Sequence, residues 1–95
     1  MLYARCVTIL ARYMEYRGIG FCDDGYYAGW DGKGEASVQD CKNLCMSEDQ
    51  CTFAAYFNIG DRRTCSRYNK DTCNLDTTSL NAKNHTTFAK TGLLL

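Results

Sequence analysis

Cysteine is the residue type in this chain whose number and spacing could do chemistry. Seven cysteines occur in 95 residues, well above ordinary usage. Thiols at that density bind a metal, act as nucleophiles or redox couples, or oxidise to structural disulfides. Structural zinc sites are built from close pairs such as C-x2-C, often completed by histidine. No such pair occurs, and the only histidine, His85, lies twelve residues beyond the last cysteine, Cys73. Nucleophilic catalysis needs a thiol or hydroxyl held beside a base in a recognisable arrangement. His85 sits in a threonine-rich stretch without a cysteine or serine next to it, and the acidic residues are scattered. No enzymatic activity and no cofactor are expected. The remaining chemistry is a disulfide scaffold.

The elements that must position these thiols centre on Cys41-Lys-Asn-Leu-Cys45-Met-Ser-Glu-Asp-Gln-Cys51, a C-x3-C-x5-C run. Cys41 and Cys45 are spaced i, i+4, so on a helix they share one face a turn apart. Ser37 is a good N-cap, and Asp40 three residues on resembles the second member of a capping box. The predicted helix runs to about Ser47 and buries Val38, Cys41, Leu44 and Cys45, with Glu48 to Gln50 as an exposed polar break. Thr52 to Phe57 is aromatic and reads as a central strand. Asn58 to Arg63 forms a hairpin turn, and Thr64 to Tyr68 returns with Cys65 and Arg67 on one face. Asn69 to Asn84 reads as a long polar loop anchored by Cys73, and Thr86 to Lys90 as the last strand. Upstream, Tyr3, Val7, Leu10 and Met14 have helical spacing. Residues 1–11 read as a helix or loose arm, or the end of an upstream segment. Arg12 to Tyr16 reads as a short strand and Gly18 to Gly25 as a turn region rich in glycine. One domain is expected over residues 12–92.

Cys22 preceded by Gly-Ile-Gly-Phe, the Ser37 to Cys51 segment, the Phe53-Ala-Ala-Tyr-Phe57 strand, Cys65, Cys73 and the closing Thr86-Thr-Phe-Ala-Lys90 together resemble a PAN/apple domain. The resemblance covers roughly residues 13–91. It implies an α+β fold, one helix packed on an antiparallel sheet of about four or five strands and stapled by disulfides. Six cysteines allow about 15 pairings, and sequence alone does not choose among them. Helix geometry narrows the set. Five residues after Cys45 can fold back to Cys51, Cys41 can then reach Cys65, and Cys22 with Cys73 closes the ends. The resemblance implies the same nested order, first to sixth, second to fifth, third to fourth. Cys6 is the odd cysteine, read as an incidental thiol or as an intermolecular bridge to a second chain.

Charge and length exclude several function classes. Eleven basic residues balance eleven acidic ones, and no basic stripe exists to neutralise phosphates, so nucleic acid is not an expected partner. No apolar run is long enough for membrane insertion. Disulfide dependence places the domain outside the cell or at its surface. No signal peptide is visible in residues 1–20, so the chain reads as a piece of a larger secreted protein.

The resemblance implies an extracellular recognition module that binds a protein or a glycan within a larger adhesive protein. A structural spacer without a ligand and a small secreted inhibitor or toxin-like ligand are the alternatives. Tyr26, Tyr27 and Trp30 beside Asp31 form the most suggestive local cluster, since aromatic faces next to carboxylates suit a sugar or a peptide edge. The competing reading has these rings covering the small core. Asp31-Gly-Lys-Gly-Glu35 lacks the ligand pattern of a calcium loop and reads as a turn, so no metal is expected there. Asp61, Arg62 and Arg63 at the hairpin tip are secondary contact candidates. Asn84-His-Thr86 is an N-glycosylation acceptor triplet.

Overall fold

The helix α1 spans Val38–Ser47 and starts as its sequence dictates. The Ser37 side chain accepts from the Asp40 N–H while the Asp40 carboxylate accepts from the Ser37 N–H, so two otherwise orphaned donors are satisfied. Only Cys41 and Cys45 are fully buried on it. Leu44 packs partly against the core, and Val38, expected inside, is exposed. A helix with so small an apolar face gains little from burial alone, which leaves the disulfides to fix it.

The computed structural model describes residues 10–29 and 37–94. The strands are β1 (Leu10–Ile19), β2 (Phe21–Cys22), β3 (Tyr26–Ala28), β4 (Phe53–Ile59), β5 (Arg62–Tyr68), β6 (Leu75–Asp76) and β7 (His85–Leu94), with a 3-10 turn at Ala82–Asn84 leading into β7. Five of them form one antiparallel sheet in the order β1-β7-β4-β5-β3, and β2 pairs with β6 in a second, two-stranded sheet. The fold is the expected α+β arrangement of one helix on an antiparallel sheet held by disulfides.

β4 is central because both its faces are apolar. Its alternation sends Ala54 and Tyr56 toward the helix, where they meet Cys41, Cys45, Cys51 and Cys65. Phe53 and Ala55 go to the other face with Cys22, Tyr68 and Ala89. The small β2–β6 sheet covers that second face. Gly60 and Asp61 make a two-residue hairpin loop between Ile59 and Arg62, with Gly60 at φ +56°, where a side chain would be strained.

The three bridges are Cys22–Cys73, Cys41–Cys65 and Cys45–Cys51, nested as expected. Cys6 lies outside the described residues. Several boundaries differ from the sequence reading. β1 and β7 run past the short strands expected at Arg12–Tyr16 and Thr86–Lys90, pairing from Leu10↔Leu94 to Ile19↔Thr86. The helical spacing of Leu10 and Met14 loses to this long-range pairing, as local pattern commonly does. The polar stretch 69–84 holds β6, which its Cys73 neighbour brings against β2.

Loop closure sets the expected worth of each bridge. Replacing both Cys41 and Cys65 with alanine, which opens a separation of 24 residues, should cost roughly 3–4 kcal/mol. Replacing Cys45 and Cys51, separated by 6 residues, should cost about 2 kcal/mol. Denaturant midpoints of the two double variants, compared with the parent, check the order.

Candidate functional site

Successive residues of a strand face opposite sides of a sheet, and this separates Tyr26 from Tyr27. Tyr27 turns toward the helix end and packs against the cysteine-rich core. Its hydroxyl donates to Glu48 Oε1. Arg67, on β5, donates from Nε to Glu48 Oε1 at 2.8 Å and from Nη2 to Oε2 at 3.2 Å, a two-point ion pair. Its Nη1 donates to the carbonyls of Gly29 and Cys65 at 3.0 and 3.1 Å. Lys90 Nζ donates to the Glu48 carbonyl at 2.7 Å. Glu48, read from sequence as an exposed break, is therefore a junction joining α1, β3, β5 and β7.

Burial alone would raise the Glu48 carboxyl, but hydrogen bonds from Tyr27 and Arg67 and the charges of Arg67 and Lys90 hold it below its ordinary value. Burial first, then the hydrogen bond to Glu48, pushes the Tyr27 phenol up to about 12. This cluster is a structural clamp that ties β3, β5 and β7 to the end of α1.

Tyr26 points the other way. It is 61% exposed and stands edge-on to the Tyr68 ring with centroids 6.0 Å apart. With Tyr68 it borders an open groove of about 560 Å³ that is also lined by Phe21, Cys22, Asp23, Asp24 and Gly25. A polar continuation of about 330 Å³ shares Asp23 and Asp24 and adds Lys70, Thr72, Cys73 and Asn74. Cys22 lines the first part and Cys73 the second, and their disulfide ties the two segments together.

Local backbone geometry holds the groove's wall. Asp23 N–H donates to the Asn74 carbonyl at 3.0 Å and Asn69 N–H to the Gly25 carbonyl at 2.8 Å. Gly25 has φ +90°, and a β-carbon there would meet Lys70 Cγ at 2.5 Å. The glycine is required by both the turn and the close approach. Asn74 Nδ2 lies 3.4 Å from Asp23 Oδ2, and Lys70 Nζ 3.9 Å from Asp24 Oδ2. An exposed ring beside two carboxylates, with an amide and an ammonium in the adjoining polar part, can stack on an apolar face while the polar groups exchange hydrogen bonds with hydroxyls.

The remaining sequence candidates lie elsewhere. Asp61, Arg62 and Arg63 cap the far end of β5, six residues from Tyr68 along the strand, or roughly 20 Å. Arg62 lies over the Phe57 ring at 5.2 Å, and Arg63 Nη1 donates to the Gly60 carbonyl at 2.7 Å. The structure does not bring this tip together with Tyr26. Asn84 is exposed on the 3-10 turn. Trp30 and Asp31 lie outside the described residues. The groove residues Phe21, Asp23, Asp24, Lys70 and Asn74 were not singled out from sequence. Their signal was the Cys22–Cys73 pairing itself, which carries both flanking segments to one place. Among the described residues, no three His, Cys, Asp or Glu side chains converge as metal ligands would. No helix there is long and apolar enough to cross a membrane.

Compared with known proteins, the chain matches no family model, no curated protein and no solved structure.

The clamp should show in the pH dependence of stability. Glu48 is depressed in the folded state, so its contribution is present above its ordinary value of 4.5 and fades as pH falls through the lower folded value. Tyr27 is raised, so its contribution is present below 10.0 and fades as pH rises toward about 12. Glu48→Gln should flatten the acid limb and Tyr27→Phe should soften the alkaline one. Arg67→Leu, which strands a partly buried carboxylate, should cost about 2–3 kcal/mol at neutral pH. Denaturant titrations from acid to alkaline pH measure all three.

Proposed function

We propose that this chain is an extracellular recognition module of the PAN/apple type that binds a hydroxyl-rich carbohydrate in the groove beside Tyr26. The observation that carries the reading is that groove. It offers an exposed tyrosine ring next to Asp23 and Asp24, with Lys70 and Asn74 lining the polar part that shares those two carboxylates. The nested order of the three disulfides supports the family assignment, because it is the order the resemblance implies. Disulfides of this number in a small domain also fit an oxidising, extracellular setting.

Carbohydrate is the better of the two ligand classes for this geometry. A sugar ring presents an axial C–H face to an aromatic ring and equatorial hydroxyls to carboxylates and amides. The groove is short and open, which suits one or two sugar rings. The exposure of Tyr26 counts against a pure spacer, in which that ring would lie buried.

Glycan-array screening followed by calorimetry tests the reading. Tyr26→Ala and Asp24→Asn should each weaken the glycan hit by about tenfold or more. Arg62→Ala, at the far end of β5, should leave it unchanged. Unchanged affinity in both groove variants would remove the groove from the account.

A further inference from the structure

An edge strand carries a row of N–H and C=O groups that pair with nothing inside its own sheet. β3, at one edge, is only three residues long. β1, at the other, is ten residues long, and no described strand pairs with its outer side. The register fixes which of its groups point outward. Lys90 donates its N–H to the Thr52 carbonyl at 2.8 Å, so its amide is turned to β4. Met14 lies across from Lys90 on β1. Met14 therefore occupies a non-hydrogen-bonded site of the β1–β7 ladder, with its own N–H and C=O directed outward.

The two-residue period of a strand extends this to Leu10, Arg12 and Tyr16. The bulge between Tyr16 and Gly18 then shifts the phase. Gly20 donates to the His85 carbonyl, so beyond the bulge Gly18 and Gly20 face β7 instead. The outward run is thus Leu10, Arg12, Met14 and Tyr16, symmetric about Tyr13.

We propose that β1 is a self-pairing edge: a second copy of this chain adds antiparallel to it, with the two-fold axis through Tyr13. Such an axis, normal to the sheet, keeps the same face upward in both copies, so its centre falls on a residue rather than between two. Centred on Tyr13, Leu10 faces the second copy's Tyr16 and Arg12 faces its Met14, giving about eight interchain backbone hydrogen bonds. Glu15 faces Ala11, and no charge meets a like charge directly. Centring on Glu15 would set two carboxylates opposite each other. Centring on Met14 would set Leu10 against Gly18, whose backbone groups are already turned to β7.

Tyr13 suits the axis. It is 46% exposed, and it lies on the face opposite Met14, which packs against the core beneath the helix. On the axis it occupies a non-hydrogen-bonded pair, where cross-strand side chains come closest and aromatic pairs are favoured. Pairing would fuse two five-stranded sheets and place their two grooves at the outer edges, about 40 Å apart. Two separated sites on one rigid body raise avidity for a repeated ligand. The pairing itself does not depend on what the grooves bind.

Sedimentation of the Cys6→Ser protein, from about 5 to 500 µM, tests the edge without any covalent dimer through the odd thiol. A monomer–dimer equilibrium is expected. Tyr13→Glu and Tyr13→Lys should each weaken it by about tenfold or more, because like charges then meet on the axis. Tyr13→Phe should leave it unchanged. An equimolar mixture of the Glu and Lys variants should restore the dimer, since only a residue on the axis meets its own copy. A parent that stays monomeric throughout, or a mixture that stays monomeric while circular dichroism shows both variants folded, overturns the proposal.

Discussion

The attachment of α1 to the sheet is the constraint on which the rest of this structure depends, and it is covalent before it is hydrophobic. The helix presents two cysteines as its only fully buried residues, and each is tied to a different place. Cys41 is bridged to β5 through Cys65, and Cys45 to the segment entering β4 through Cys51. Four half-cystines then form the larger part of the core between helix and sheet, together with Ala54 and Tyr56. In a chain this short, a core of aliphatic side chains would supply only a narrow margin over conformational entropy. The bridges shift the balance by restricting the unfolded chain instead.

Fixing the helix also fixes where its C-terminus points, and that end carries the wrong charge. Carbonyl groups at a helix C-terminus favour cations, yet the C-cap residue is Glu48. Arg67 and Lys90 converge on it from two strands, and Tyr27 adds a neutral donor. An acid that would be unfavourable alone becomes the common acceptor for three elements. The arrangement settles the orientation of β3 as well. With Tyr27 drawn inward, the pleat obliges Tyr26 to face outward beside Asp23 and Asp24. The outward placement of Tyr26 beside the groove is in this sense a consequence of the clamp on the opposite face.

Features set by local chemistry were legible in the sequence. The capping box at Ser37 and Asp40, the shared helix face of Cys41 and Cys45, the buried run of β4 and the hairpin at Gly60 all follow from short-range rules. Features set by distant pairing were not. Glu48 reads as a solvated break because its partners lie 19 and 21 positions away. The helical spacing around Leu10 and Met14 is outweighed by β7, which is remote in sequence. The groove escaped for the same reason: its two halves flank Cys22 and Cys73, 51 residues apart, and neither half is distinctive alone. Tyr26 was visible as an aromatic candidate, but nothing local separates it from Tyr27.

The two edges of the main sheet are built differently, and the difference has a physical origin. β3 pairs with β5 only from Tyr26 to Ala28, with a register shift between them, and Arg67 occupies the Gly29 carbonyl just beyond. That edge is blunted by brevity and by a side chain. β1 is long because it must close β7 over its whole length, from Leu10 to Ile19. Among the described residues, its protection is a bulge after Tyr16, which breaks the outward hydrogen-bonding phase but leaves the stretch before it in register. A bulge placed there limits pairing to a short, defined segment instead of abolishing it. An edge with one phase break favours one register, and a two-fold pairing of like edges closes on itself where a head-to-tail pairing of unlike edges would grow into a fibre.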